Sequence, residues 1–352
     1  MKIGAAARKA FHGNAMNSPL LMLGVTSRSL FDLEDEDRVF HAAGTDAYIA
    51  TCVDRETVMP APGTAMPLAR AITALNRRFA RPLVGITLIS RNAPEQGLRL
   101  MHAADHYDLD IERWAFTGGT PVAPLLNGFH IDLFLSRHPQ DAADAIVAGV
   151  PAALPAELAP SGLSSGAEGD STGALRPPPP AGLAAPAGGR PLFFAFDGDA
   201  VLFDGESEEI FREQGRAAFD AHEKANADRP LAAGPFARVL QALARLQALG
   251  TPDNPTLSTA IVTARGAPAH ERVLTTLTAW HIHVDQLYML GGLPKTELLA
   301  SLNPDIYFDD QARHIDAASP HIPCALVPPV APGGTTLPAL DGAGDEAEPH
   351  PK

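Results

Sequence analysis

The sequence has few of the features that mark secreted, membrane or nucleic-acid-binding proteins. It contains only two cysteines among its 352 residues, which predicts no disulfide framework and fits a reducing compartment. It has no run of Lys and Arg, and its formal net charge of -14 argues against nucleic acid or an anionic membrane as the main partner. No apolar run reaches the roughly 18 residues of a membrane span. A small-molecule partner is compatible with all of these absences.

The N-terminal region superficially imitates a secretory signal, because Lys2, Arg8 and Lys9 precede the apolar stretch 19–25. That stretch is short and lacks a small-residue cleavage site. We therefore interpret it as a buried strand and expect a cytoplasmic protein. The sequence does not determine the oligomeric state and is compatible with a homo-oligomer.

Two segments have the composition of disordered chain. Residues 154–190 are rich in Pro, Ala, Gly and Ser, with prolines filling 177–180, and residues 328–352 form an acidic, proline-rich tail. Neither has an apolar period from which a core could form. The first therefore predicts a disordered linker between two folded parts, residues 18–150 and 191–327, and the second a disordered tail.

The second folded part alternates strand-like and helix-like segments. Its strand-like apolar runs and helical periods suggest an α/β fold, with a Rossmann-like parallel sheet covered on both faces. The predicted strands are 192–196, 260–262, 287–290 and 306–308, and the predicted helices are 235–249, 267–281 and 295–302.

The first part repeats this plan in similar sequence. Residues 29–32 match residues 201–204, Arg91 matches Arg265, and a Gly-Gly pair occurs in both parts. The matches keep the same order and lie roughly 170 residues apart, which indicates an internal repeat. We therefore predict two tandem copies of one α/β unit. The alternative is two unrelated α/β domains that share generic patterns.

The most informative segment for chemistry is Asp197-Gly198-Asp199, which follows the apolar run 192–196. In a parallel sheet this places both carboxylates at the carboxyl edge, where open α/β sheets bind ligands. Two such carboxylates can share a divalent cation while one acts as nucleophile and the other as general acid. Alone, the motif is a weak signal, because Asp-x-Asp pairs also occur in solvated turns.

Three further features favour a site that handles phosphate. Thr263 ends a strand, and its hydroxyl suits a phosphoryl oxygen. Lys295 lies at a helix start, where its charge and the free N–H groups favour an anion. Asp309 and Asp310 end a third strand, and carboxylates there suit a hard cation such as Mg²⁺. Separately these residues are a typical N-cap, surface lysine and turn, but their order at strand ends and helix starts is specific.

Together the motifs resemble those of the haloacid dehalogenase-like phosphatases, and more narrowly those of the cytosolic 5'-nucleotidase type I family. The resemblance covers nearly all of the chain except the linker and both termini, and it implies a haloacid dehalogenase-type sheet with a small helical cap. It rests on residues 195–203, 222–225, 230–231, 234–235, 262–265, 294–295 and 308–311, and in the first half on residues 27–31, 106–109, 111–113 and 117–119.

The resemblance implies hydrolysis of nucleoside 5'-monophosphates, with AMP favoured, through a phosphoaspartate intermediate. Asp197 would attack phosphorus, and Asp199 would act as general acid and then as base. Thr263 and Lys295 would hold the phosphoryl oxygens. The implied ligands of Mg²⁺ are Asp197, Asp199 through its backbone carbonyl, Asp309 and Asp310.

Residues 205–250, between the first two motifs, predict a small and largely helical cap. Phe219, His222 and Glu223 are its candidates for substrate binding, with core packing of Phe219 and surface exposure of His222 as the alternative. Arg265 could bind phosphate or brace its own loop.

The first half lacks the charged catalytic groups, so we predict that it is degenerate and non-catalytic. It would brace the active half, complete its pocket or hold a regulatory nucleotide. For the whole chain, the alternatives are a phosphatase of another small ester, such as a sugar phosphate, and a nucleotide-binding regulatory protein without turnover. The repeat alignment places Val25 at Asp197, Ser27 at Asp199, Val122 at Lys295 and Ser136 at Asp309.

Overall fold

A computed structural model describes residues 18–157 and 190–329. Most of the predicted linker and nearly all of the predicted tail therefore lie outside the described residues. The strands are β1 (Leu21–Val25), β2 (Val84–Ser90), β3 (Arg113–Phe116), β4 (Leu133–Leu135), β5 (Ala152–Pro155), β6 (Leu192–Phe196), β7 (Leu257–Thr263), β8 (Gln286–Met289), β9 (Ile306–Asp309) and β10 (Cys324–Leu326).

All ten strands form one sheet in the order β3-β2-β1-β4-β5-β10-β9-β6-β7-β8. Every pairing is parallel except that of β5 with β10, where the two halves of the chain meet in antiparallel orientation. The mixed α/β class and the mostly parallel sheet predicted from the sequence are confirmed.

The helices cover both faces of this sheet. Predicted helices 235–249, 267–281 and 295–302 correspond to α9 (Ala237–Gln247), α10 (His270–Ala279) and α11 (Thr296–Leu302). No helix in the described part of the chain is both long and apolar enough to cross a membrane. The helices are α1 (Ser27–Leu30), α2 (Glu34–Asp54), α3 (Met66–Asn76), α4 (Gly97–His106), α5 (Ala123–Leu126), α6 (Pro139–Val147), α7 (Glu206–Gln214), α8 (Arg216–Ala225), α9 (Ala237–Gln247), α10 (His270–Ala279), α11 (Thr296–Leu302) and α12 (Ala312–Ala318).

The two halves have the same strand order, with β1 between β2 and β4 and β6 between β7 and β9. Their backbones also bend at matching places. Gly44 interrupts α2 with φ of 78°, and Gly215 separates α7 from α8 with φ of 80°, a conformation that favours glycine. Each half therefore places a bent pair of helices after its first strand.

The apolar cores differ between the two faces of the sheet. On one face, a single cluster of buried residues runs through both halves, from Leu21 in β1 to Leu192 in β6 and Leu246 in α9. On the other face each half has its own smaller cluster. The halves are thus joined by a shared core as well as by the β5–β10 pair.

Three sequence-based boundaries and equivalences need correction. Residues 154 and 155 belong to β5, because they pair with β10, so the linker starts later than predicted. Helix α9 packs into the shared core, so the bent helices α7 and α8 form the cap without it. Thr26, not Val25, is equivalent to Asp197, because the Thr26 amide donates to Leu135 O (3.0 Å) as the Asp197 amide donates to Phe308 O (2.8 Å).

Separating the halves should be costly, because it exposes the β10 edge and opens the shared core. We expect residues 190–352 expressed alone to be poorly soluble or aggregated on size-exclusion chromatography. As a control, the full chain with Arg78→Ala loses the polar contacts of Arg78 with Arg190 O, Asn254 Oδ1 and Pro255 O but keeps the shared core, and it should stay soluble. A stable, monomeric fragment 190–352 would contradict the supporting role of the first half.

Candidate active site

Asp197 lies at the carboxyl end of β6, directly above a fully buried apolar strand. Its position is fixed by the aromatic core beneath it, where Phe196 stacks on Phe308 at 5.4 Å between ring centroids. Strands β6 and β9 are neighbours in the sheet but are followed by connections that run in opposite directions. Asp197 and Asp309, which end these strands, therefore meet at the topological switch point, where open α/β sheets bind ligands.

Lys295 joins these two carboxylates. Its ammonium lies 2.9 Å from Asp197 Oδ1 and 2.8 Å from Asp309 Oδ2. All three side chains are buried, and Lys295 enters the site at the N-terminal end of α11. The structure therefore brings together Asp197, Lys295 and Asp309, three of the six residues that sequence analysis assigned to catalysis or metal binding.

Thr263 ends β7, the strand beside β6. It is buried, and its Oγ1 accepts a hydrogen bond from the Arg265 amide at 3.2 Å. Gly198, the residue after Asp197, approaches it so closely that an added Cβ would lie 3.3 Å from Thr263 Oγ1. The hydroxyl is thus held next to the loop that follows Asp197.

Two residues that sequence analysis missed also contact Asp309. The Tyr307 hydroxyl donates to Asp309 Oδ2, and His314 Nδ1 lies 3.0 Å from the same oxygen. The signals were present: Tyr307 lies two residues before Asp309 on one strand, so both point to the same face, and His314 lies in the first turn of the next helix. Asp197, Asp309 and His314 form a group whose ligand atoms lie within 4.8 Å of one another.

The carboxyl groups in this cluster respond differently to their surroundings. Burial raises the pKa of Asp197, and the nearby Asp309 charge adds to this rise against the opposing charge of Lys295. Burial would also raise the pKa of Asp309, but the His314 contact and the Lys295 charge lower it instead. Burial and the charges of Asp197 and Asp309 raise the pKa of Asp310 to about 8. With all three carboxyl groups ionised, the cluster would carry more negative charge than its one lysine balances.

This charge excess suits a hard divalent cation. Asp310 Oδ1 is buried and has no hydrogen-bond partner within the described ranges, and a buried oxygen of this kind needs a donor or a metal ion. Asp309, in contrast, already accepts from Lys295, Tyr307 and the Gln311 amide. The donor set of Asp197, Asp309 and His314 therefore fits a metal ion, and the unpartnered Asp310 oxygen, which is not part of that set, is a further buried acceptor at the same strand end.

Asp199 points away from this cluster toward Arg265. The guanidinium donates to both Asp199 oxygens, with Nε at 2.9 Å from Oδ2 and Nη2 at 2.6 Å from Oδ1. Arg265 Nη1 also donates to Glu223 in α8. Of the two roles that the sequence left open for Arg265, these contacts support bracing, because the buried guanidinium ties the loop after β6 to the cap.

The predicted cap residues lie close to this network. Glu223 is fully buried and accepts from Ser207 (2.7 Å) and Arg272 (2.9 Å) as well as from Arg265. Phe219 is buried and packs below the Arg265 guanidinium, 5.5 Å from its ring centroid. These two residues hold the cap in place. His222 is half-buried, with its ring 3.2 Å from Arg272.

Comparison with known proteins decides the family. A family model described as 5'-nucleotidase matches residues 14–166 and 181–331. The chain belongs to the 5'-nucleotidase family. Cytosolic 5'-nucleotidase 1B from Homo sapiens is 30% identical over 309 residues, which cover 85% of this chain and 47% of the relative. The chain thus spans about half the length of this relative. The comparison with solved structures gave no significant match. The resemblance to the cytosolic type I 5'-nucleotidases is confirmed.

The buried Glu223 should contribute strongly to the free energy of unfolding of this member of the 5'-nucleotidase family. Burial would raise the pKa of Glu223, but Arg265 and the hydrogen bonds from Ser207, Arg265 and Arg272 lower it. We expect Glu223→Gln to cost about 3 kcal/mol at neutral pH, because it leaves two buried guanidinium groups without their shared partner. The loss is measured by denaturant unfolding.

A group with a lowered folded pKa stabilises above its unfolded pKa, and this stabilisation disappears as the pH falls through the folded value. The difference between wild type and Glu223→Gln should therefore shrink as the pH falls below the ordinary range of a glutamate carboxyl. Glu209→Gln, at an exposed position of the same cap, is the matched control and should change little at either pH. An equal loss for both variants would contradict the buried network.

Proposed function

We propose that the chain is a magnesium-dependent 5'-nucleotidase of the haloacid dehalogenase type, which hydrolyses nucleoside 5'-monophosphates, with AMP favoured. The observation that carries this proposal is the group Asp197, Lys295 and Asp309 at the switch point of a parallel sheet, in a chain of the 5'-nucleotidase family. Phosphoryl transfer needs a positioned nucleophile and positive charge around the phosphoryl oxygens. This group can supply both in a buried setting.

In the first step, an Asp197 oxygen attacks phosphorus, an O–P bond forms, and the bond from phosphorus to the ribose 5'-oxygen breaks. Asp199 gives a proton to the departing oxygen. In the second step, Asp199 takes a proton from water, which attacks phosphorus and releases Asp197 and inorganic phosphate. The pairing of Asp199 with Arg265 is compatible with this role if the carboxyl group turns toward the substrate, which its position on a loop allows.

Lys295 and Thr263 hold the phosphoryl oxygens in this proposal. Lys295 would exchange one of its carboxylate contacts for a phosphoryl oxygen as substrate enters. Asp197, Asp309 and Asp310, with the backbone carbonyl of Asp199, would hold Mg²⁺, and His314 supports Asp309 from the side. When bound, Mg²⁺ supplies positive charge that stabilises the ionised nucleophile and the phosphoryl oxygens.

We also infer that the two halves are tandem copies, of which the first is non-catalytic. The shared strand order, the paired glycine bends and equivalent hydrogen bonds support this, such as Gly63 N to Leu30 O (2.9 Å) and Gly234 N to Leu202 O (2.8 Å). The cytosolic relative supports a cytoplasmic location as part of the same proposal.

Replacement of the nucleophile tests the chemistry. We expect Asp197→Asn to lower the rate of phosphate release by about three orders of magnitude or more, because an amide cannot form the acyl phosphate. The unfolding temperature should stay close to that of wild type, since the burial that raises the pKa of Asp197 also makes its charge costly. Asp316→Asn, at an exposed position of α12, is the control. Retention of more than a tenth of the wild-type rate by Asp197→Asn would rule out the assignment.

Removal of the metal tests the acidic cluster. Phosphate release should vanish in EDTA and return with Mg²⁺. Asp310→Asn should need about tenfold or more Mg²⁺ for half-maximal rate, because an uncharged amide oxygen is a weaker ligand for Mg²⁺ than a carboxylate. Undiminished release in EDTA would contradict the metal requirement.

The substrate is tested with a panel of nucleoside monophosphates and sugar phosphates. We expect the nucleoside monophosphates, AMP first, to give the highest kcat/KM. A preference for sugar phosphates would indicate the other phosphatase class, and nucleotide binding without any release would indicate a regulatory protein.

A further inference from the structure

The first half contains a cavity of about 420 Å³ at the carboxyl ends of β1, β2 and β4, covered by the bent helix α2. This is the place that the active site occupies in the second half. The equivalence can be read from matching contacts: the His138 amide donates to Ser136 Oγ (3.0 Å) as the Gln311 amide donates to Asp309 Oδ1 (2.9 Å). The residues on either side of each such contact can therefore be compared directly.

The comparison shows that neutral and basic side chains take the place of the strand-end carboxylates, while three acidic side chains, Glu36, Asp37 and Asp141, line the cavity beside its three arginines. Hydroxyl groups of Thr26 and Ser136 take the places of the Asp197 and Asp309 carboxylates, and both line the cavity. Arg28 lies two residues after Thr26, as Asp199 lies two after Asp197, and Arg137 follows Ser136 as Asp310 follows Asp309. Val122 replaces Lys295. The first half has no carboxylates at these two strand ends that a lysine would balance. A pocket that would attract a cation in the second half thus has arginines at its rim in the first.

The floor of this cavity is a connected network of neutral polar groups. Ser27 Oγ donates to Asn92 Oδ1 (2.7 Å), Asn92 Nδ2 donates to the Tyr48 hydroxyl (2.8 Å), and that hydroxyl donates to Gln96 Oε1 (2.9 Å). Gln96 is completely buried and lines the cavity, yet its Nε2 has no partner within the described ranges. A buried donor without a partner costs free energy unless something accepts from it.

The rim supplies further donors. Arg28 pairs with Asp37 at 3.0 Å and Arg91 pairs with Asp141, but these arginines are partly exposed, and Arg91 Nε has no partner within the described ranges. A guanidinium presents five N–H donors, so each arginine can add a phosphate oxygen to its carboxylate contact. Phosphate binding at this rim therefore needs no metal ion.

The cap above this floor is aromatic. Phe40 in α2 lines the cavity with 44% of its surface exposed, and it meets the Tyr48 ring edge-on at 5.8 Å. An exposed aromatic ring on a cavity wall suits stacking with a heterocyclic base, and the Gln96 amide can donate to a ring nitrogen or carbonyl. The cavity is also in the size range of sites for small organic ligands, well beyond what phosphate alone requires.

We propose that the first half binds a nucleoside phosphate in this cavity without a metal ion, with the phosphate at the arginine rim and the base between Phe40 and Gln96. This second site is independent of catalysis in the second half. It can therefore be tested in the hydrolytically inactive Asp197→Asn chain in EDTA, where failure of the proposed enzymatic function has no influence on the result.

The experiment measures equilibrium binding of AMP, adenosine, ribose 5-phosphate and inorganic phosphate to the full-length Asp197→Asn chain in EDTA. We expect saturable binding of AMP, weaker binding of the three fragments, and slower amide hydrogen exchange in 34–54 and 90–96 when AMP is present. No saturable AMP binding, or protection confined to the second half, would overturn the proposal. Phosphate binding as tight as that of AMP would overturn the nucleoside assignment.

Two substitutions locate the site. Asn92→Asp places a carboxylate of the same shape in the floor, and Arg28→Gln removes a rim charge without altering the floor. Each should weaken AMP binding in EDTA by about tenfold or more. Arg38→Gln is the matched control, since Arg38 lies on α2, the helix that covers the cavity, but is largely exposed and does not line it. Unchanged affinity in Arg28→Gln and in a folded Asn92→Asp chain would overturn the assignment to this cavity.

Discussion

Carboxylates buried at the edge of a sheet must be neutralised, and much of the polar structure of the second half follows from this requirement. Lys295 pairs with Asp197 and Asp309, while Arg265 pairs with Asp199 and Glu223. The second pair of contacts has a mechanical effect as well, because it fixes the cap to the loop after β6. Beside the first pair, Asp310 Oδ1 has no hydrogen-bond partner among the described residues, so the requirement is not fully met there.

The first half shows what the scaffold becomes when that requirement is lifted. Its strand order and helix bend are kept, but hydroxyl and guanidinium groups occupy the positions of the strand-end carboxylates. A neutral network through Ser27, Asn92 and Tyr48 needs no counter-charge, so it can remain preorganised without a metal ion. Its own buried ion pair, Glu36 with Arg99, has moved to a different part of the cap from the Glu223–Arg272 pair. Chemistry and binding thus depend on a small set of strand-end residues.

Features that follow from a local sequence pattern could be predicted better than features that depend on how separate segments of the chain align with one another. The strands around Asp197, Thr263 and Asp309 could be placed because each is a short apolar run that ends in a polar residue. The predicted repeat alignment placed Val25, and not Thr26, at Asp197. It was wrong by one position because the turn 198–202 is one residue longer than α1, and the alignment had no gap at this place. The role of Glu223 as an anchor depends on contacts with Arg265 and Arg272 in distant elements, which periodicity does not encode.

The antiparallel β5–β10 pair gives the chain the arrangement of a two-fold symmetric dimer whose subunits are covalently linked. In a homodimer of identical subunits every substitution occurs twice, so a change that adapts one site also alters the other. Here the two halves are encoded separately while sharing one core, so the strand-end side chains of one half can differ from those of the other. The short outer strands β3 and β8 are the free edges of the described sheet. The antiparallel β5–β10 pairing at its centre links the stability of each half to the folding of the other half.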